Sequence, residues 1–105
     1  MKRKISLLLV LLAYAGTSFA LVPLEGTVTI LEPTYLPGQV AFQLSTSTSI
    51  CPAGTWLWWR NASADNNKAA YATLAAALVS GKRVRVYFVE GDSSCTVNNL
   101  HLLEN

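Results

Sequence analysis

The residues of this chain best able to do chemistry are one histidine, two cysteines, three clustered tryptophans and a short row of arginines. His101 sits between Leu100 and Leu102. As a general base it would need a Ser or Cys nucleophile beside it and an acid to orient it. The chain has no G-x-S-x-G or comparable nucleophile motif. His101 therefore reads as an outer-face strand histidine, and a small hydrolase using it as base is the least favoured reading. Glu90 and Asp92 are close in sequence, and Glu25 and Glu32 flank one candidate strand. Glycoside hydrolysis needs two carboxyls facing across a cleft. The Glu90-Gly91-Asp92 run reads instead as a solvated turn. No catalytic residue is assigned, and the protein is not expected to be an enzyme.

Cys51 and Cys95 are 44 positions apart, and with a single histidine they make a poor metal set. No metal and no cofactor are expected. In an oxidising compartment an even cysteine pair becomes a disulfide. The chain-entropy model gives a bridge across such a loop roughly 4 kcal/mol.

The binding candidates are aromatic and cationic. Trp56, Trp58 and Trp59 fall within four residues. Tryptophan is favoured at binding hot spots and in stacking on sugars. If one faces a ligand, Trp59 is the expected one, next to Arg60. Arg83, Arg85 and Tyr87 form the second patch. On a strand their side chains share a face, and two guanidiniums there would grip an anionic group or an acidic partner edge.

The elements that must carry these residues follow from the chain's punctuation. Met1–Ala20 reads as a signal peptide, with a basic start at Lys2, Arg3 and Lys4, an apolar run from Ile5 to Ala15, and Ser18-Phe19-Ala20 before the cut. The run is too short for a membrane anchor, and no later run reaches ~18 apolar residues. Residues 21–105 then form a single domain. It carries five cations against six anions, although the whole chain is formally +2. Nucleic acid is thereby disfavoured as a partner, since it calls for a cationic surplus.

Gly26–Glu32 alternates, with Val28 and Ile30 on one side and Thr27, Thr29 and Leu31 on the other. Pro33–Gly38 is a turn. Gln39–Ser45 alternates again, with Val40, Phe42 and Leu44 inward. Thr55–Asn61 is a third strand, with Trp56 and Trp58 on one face and Leu57 and Trp59 on the other. Asp65 is an N-cap candidate for a helix over Lys68–Ser80, with Tyr71, Leu74 and Leu78 as its inner face and Gly81 as its stop. Arg83–Glu90 is a fourth strand, with Val84, Val86 and Phe88 in one row. Thr96–Glu104 is the fifth, with Leu100 and Leu102 inward. Asn61-Ala62-Ser63 matches a glycosylation sequon, but the leader looks bacterial and no modification is expected. The resulting class is mainly β with one helix, in the order β-β-β-α-β-β. That is the order of an OB-like five-stranded barrel, here stapled by one disulfide.

The stretch Ala70–Phe88, AYATLAAALVSGKRVRVYF, resembles the helix–Gly–strand segment of pertussis-like toxin B subunits, the subtilase cytotoxin B subunit among them, and of other small exported bacterial proteins. The resemblance implies an OB-fold subunit that assembles into a ring of five and binds cell-surface sugars. The family's sialic acid contacts, a Ser near the first strand and a Tyr in the fourth, fall here at Glu25 and Phe88. A carboxylate repels an acidic sugar and Phe88 lacks the hydroxyl, so that mode of binding is not expected. The function expected is a non-catalytic module, periplasmic or secreted, that recognises a glycan or protein surface, with a homo-oligomer as one expected state. The alternative is a monomeric periplasmic structural or inhibitory protein that binds a protein partner through its aromatic strand.

Overall fold

A computed structural model describes residues 20–105. The expected signal peptide, Ala20 apart, lies outside the described residues. The elements are β1 (Leu21–Glu32), β2 (Val40–Leu44), β3 (Leu57–Trp59), α1 (Ala64–Ser80), β4 (Arg83–Val89), β5 (Thr96–Val97) and β6 (Asn99–Leu102). The sheet runs β5-β3-β2-β1-β4-β6. Its two outer strands are consecutive in the chain, with only Asn98 between them. β5 pairs parallel with β3, and β6 pairs antiparallel with β4. One segment thus joins both ends of the sheet, and the result is a nearly closed, OB-like barrel. The expected single strand over Thr96–Glu104 is broken at Asn98, so six strands replace five.

β1 serves two neighbours. Its first half, Leu21–Thr27, pairs with β4, and its second half pairs with β2 from Val28 onward. The sequence reading starts this strand only at Gly26, five residues late. Pro23 falls within the missed stretch, and proline ordinarily argues against a strand interior. It is tolerated here because that half of β1 is paired with β4 and has left β2. A bulge between Val28 and Ile30 then shifts the register. One extra residue inverts the alternation that follows. Val28 is buried as expected, but Ile30 turns outward, 46% exposed, and Leu31 packs on the core in its place.

The core gathers Val28, Val40, Phe42, Leu57, Val84, Val86, Phe88 and Val97 from the strands, with Leu74 and Ala77 from the helix. β4 is buried in the expected alternation. The helix starts earlier than the sequence indicates. Ser63, not Asp65, is its N-cap, and the Ser63 hydroxyl accepts from the Asn66 amide at 3.2 Å. Gly81 ends it in the left-handed region (φ 71°), its amide donating to the Ala77 carbonyl at 2.9 Å. The buried face is Asn67, Ala70, Leu74 and Ala77. Tyr71 packs beside it, whereas Leu78 is 40% exposed and does not belong to the inner face. Leu102, expected inward, is 44% exposed at the end of β6.

The face is set by Asn67, which is 1% exposed. Its amide nitrogen donates to the carbonyls of Pro37 (2.8 Å), Gly38 (3.1 Å) and Asn61 (3.0 Å). Its oxygen accepts from the Asn61 amide at 2.9 Å. One side chain thereby joins the helix, the β1–β2 turn and the segment after β3. Cys51 and Cys95 form the expected disulfide, with a Cα–Cα distance of 5.9 Å, and it ties the β2–β3 loop to the start of β5.

Candidate functional site

The barrel presents two distinct outer faces, and its strand register decides what each can do. On the β2–β3–β5 side, Phe42 pairs with Leu57 and both are buried. Their neighbours Ala41 and Trp58 lie on the opposite side of the sheet, where Ala41 is itself fully covered and Trp58 is half-buried. Register extends this into one cross-strand row, Glu32–Ala41–Trp58–Thr96. Tyr35, on the β1–β2 turn and 49% exposed, brings its ring centroid to 6.0 Å from that of Trp58 at a 48° tilt. The Arg60 guanidinium lies over the Trp58 ring, 5.0 Å from its centroid, within cation–π range.

The β4–β5 turn adds polar groups beside this platform. The Asp92 carboxylate accepts from the Ser94 hydroxyl (2.6 Å) and the Ser94 amide (2.9 Å). These bonds hold its pKa below the ordinary carboxylate value, and the positive charge of Arg60 adds a smaller pull in the same direction. The Ser94 and Thr96 hydroxyls are 2.9 Å apart. An aromatic surface flanked by a cation, a carboxylate and hydroxyls can stack on the apolar face of a ring and hydrogen-bond its edge.

Trp59 is not on this face. It packs against the core side, half-buried, and its indole nitrogen donates to Asn66 Oδ1 at 2.9 Å. There it lines a shallow recess of about 230 Å³ with Ala69, Thr73 and Leu100. Trp58 holds the position next to Arg60 that the sequence reading gave to Trp59. The alternation already separates the two residues, and buried Leu57 fixes which of them turns out.

The second face carries Arg83, Arg85 and Tyr87 side by side on β4. The sequence reading leaves the arginines free to grip an anion. In the structure the anion is the chain's own Glu25, which pairs with Arg85 across β1 and β4. Arg85 donates to Glu25 Oε1 from Nε at 2.8 Å and from Nη2 at 2.6 Å. Arg83 Nη2 reaches Oε2 at 3.3 Å. The hydrogen bond and charge of Glu25 raise the pKa of Arg85 further. Tyr87 meets His101 edge to face at 5.4 Å. His101 is exposed and pairs with Arg85 across β4 and β6. Asn61, of the glycosylation sequon, accepts from the Ser63 amide at 2.9 Å.

Among the described residues, no three His, Cys, Asp or Glu side chains gather as a metal set. No helix of the described residues is long and apolar enough to cross a membrane. Comparison with protein-family models, curated proteins and solved structures finds no match to this chain. None of the three comparisons links the chain to toxin B subunits.

Proposed function

We propose that the protein is a non-catalytic, exported binding module that takes a glycan on the outer face of β2, β3 and β5. The observation that carries this reading is the outward Trp58, framed by Tyr35 and Arg60, on a barrel whose other arginine patch is already engaged by Glu25. Export is supported by the basic-then-apolar N-terminus and by the disulfide. Trp58 supplies the stacking surface. Asp92 and Ser94 supply acceptors and donors for ring hydroxyls, and Arg60 moves aside or closes over the bound sugar.

Glycan-array screening of the disulfide-bonded protein tests this, followed by titration with the best hit. Trp58→Ala is expected to weaken binding at least tenfold, since truncating a central aromatic hot spot costs about 2 kcal/mol or more. Trp59→Phe is expected to leave binding within twofold. Equal affinity in wild type and Trp58→Ala would remove the site.

A second reading follows from the same surface. Ile30, outward after the bulge, shares the β1–β2 face with Gln43, which makes this side more apolar than a sugar site requires. A protein partner, or further copies of this chain as in the toxin-like ring, would then cover it. Light scattering behind a sizing column separates the cases. A mass near five times the monomer supports the ring, and a monomer directs the search to a different partner.

A further inference from the structure

A third surface adjoins the Trp58 face at Asp92. Where the first half of β1 leaves β2, a cavity of about 390 Å³ opens between β1, the end of β4, the β2–β3 loop and the turn that follows β4. Its size is within the range of small-molecule sites. Val22, Ile50, Phe88 and Val89 supply apolar walls. Val22 pairs with buried Phe88 across β1 and β4, so both side chains face the barrel interior. Ile50 is 49% exposed at the mouth, where it continues the apolar walls outward. The ionisable groups of the lining are Glu90 and Asp92, and no Lys, Arg or His contributes to it. Neither carboxylate forms a salt bridge among the described residues.

We propose that this cavity binds a small molecule with an apolar body and a protonated amine, the body against Val22, Ile50 and Phe88 and the ammonium group at Glu90 and Asp92. Both features are needed. Apolar walls alone would accept a fatty acid, but two carboxylates at the rim repel a carboxylate headgroup. An ammonium group in the same place meets opposite charge. Asp92, held ionised by Ser94, keeps its negative charge through neutral pH.

The test is an NMR titration of the disulfide-bonded protein with n-octylamine, n-octanol and octanoate, each below its micellar concentration. Saturable shifts centred on Val22, Ile50 and Gly91 are expected with the amine, and at least tenfold weaker binding with octanoate. Glu90→Gln is expected to weaken the amine about fivefold and leave octanol unchanged. Its side chain is exposed, so the fold is retained. Val22→Phe fills the cavity and is expected to abolish binding of all three probes. Octanoate binding as tightly as the amine would overturn the charge assignment. Absence of saturable amine binding, or shifts mapping elsewhere, would overturn the site. Asp92 is shared with the Trp58 face but Glu90 is not, so glycan binding by Glu90→Gln, expected to be unchanged, reads the two sites apart.

Discussion

Asn67 is a polar residue at a core position, and its four hydrogen bonds explain why. Its type gives no hint of burial in the sequence, because asparagine ordinarily stays in water. The helix face reads one step wrong as a result, with Leu78 in place of Ala77. Removing the side chain leaves three carbonyls and one amide without their partner. Asn67→Ala is therefore expected to cost about 3 kcal/mol, since each unsatisfied buried group costs about 1–3 kcal/mol and local water replaces some of the bonds. Urea denaturation of the oxidised protein measures it. A cost under about 1 kcal/mol would mean that the three segments hold together without this clip. Gly26 makes a different demand. A Cβ there would lie 2.6 Å from Thr46 Oγ1 and 3.0 Å from Ser45 Oγ. Both hydroxyls are committed, Thr46 to the Glu25 carbonyl and Ser45 to the Thr27 amide. Gly26→Val is expected to lower the unfolding midpoint more than Gly26→Ala, and both below wild type, because the β2–β3 loop must move off β1.

At the scale of the element, β4 and β1 show where the sequence was legible and where it was not. The period-2 pattern of β4 needs no context, and its buried row is Val84, Val86 and Phe88 as expected. The order of strands and helix was equally readable. β1 was half hidden, because Pro23 reads as a breaker and the bulge inverts the pattern after Val28. Losing Leu21–Glu25 from the strand also hid the partner of the arginines. A pairing between residues 25 and 85 is set by sheet register, which no local pattern contains. The same register yields a prediction. Glu25→Ala is expected to change the unfolding midpoint little, because exposed pairs contribute little. It should, however, release the two guanidiniums. Inorganic sulfate would then shift the Arg85 Nε–H resonance in the variant and leave it unmoved in wild type. An equal response in both proteins would mean that Glu25 does not hold the arginines in solution.

The whole molecule is a small barrel held by one covalent tie. The Cys51–Cys95 bridge constrains a long loop of the unfolded chain, and the Cys51→Ala/Cys95→Ala protein is expected to be less stable by about 4 kcal/mol. Paired urea curves of the two proteins measure this. Asp92 sets part of the acid response. Its folded pKa lies below its unfolded one. Its contribution to stability is thus present above the unfolded carboxylate range and lost as pH falls through the folded value. Melting curves between neutral pH and pH 2 should show a shallower acid decline in Ser94→Ala than in wild type. Parallel declines would assign the acid sensitivity to other carboxylates.

The segment that closes the barrel is made after the strands it joins. A ribosome delivers β1 through β4 first, and until Thr96–Leu102 follows, β3 lacks its outer neighbour on one edge and β4 lacks its own on the other. Two open strand edges are templates for pairing with other chains. A product cut short before Thr96 would therefore lack Val97 from the core and expose both edges at once. Termination before Thr96 should yield aggregates, whereas a stop after Leu103, whose amide still donates to the Arg83 carbonyl at 2.9 Å, should leave the closure intact.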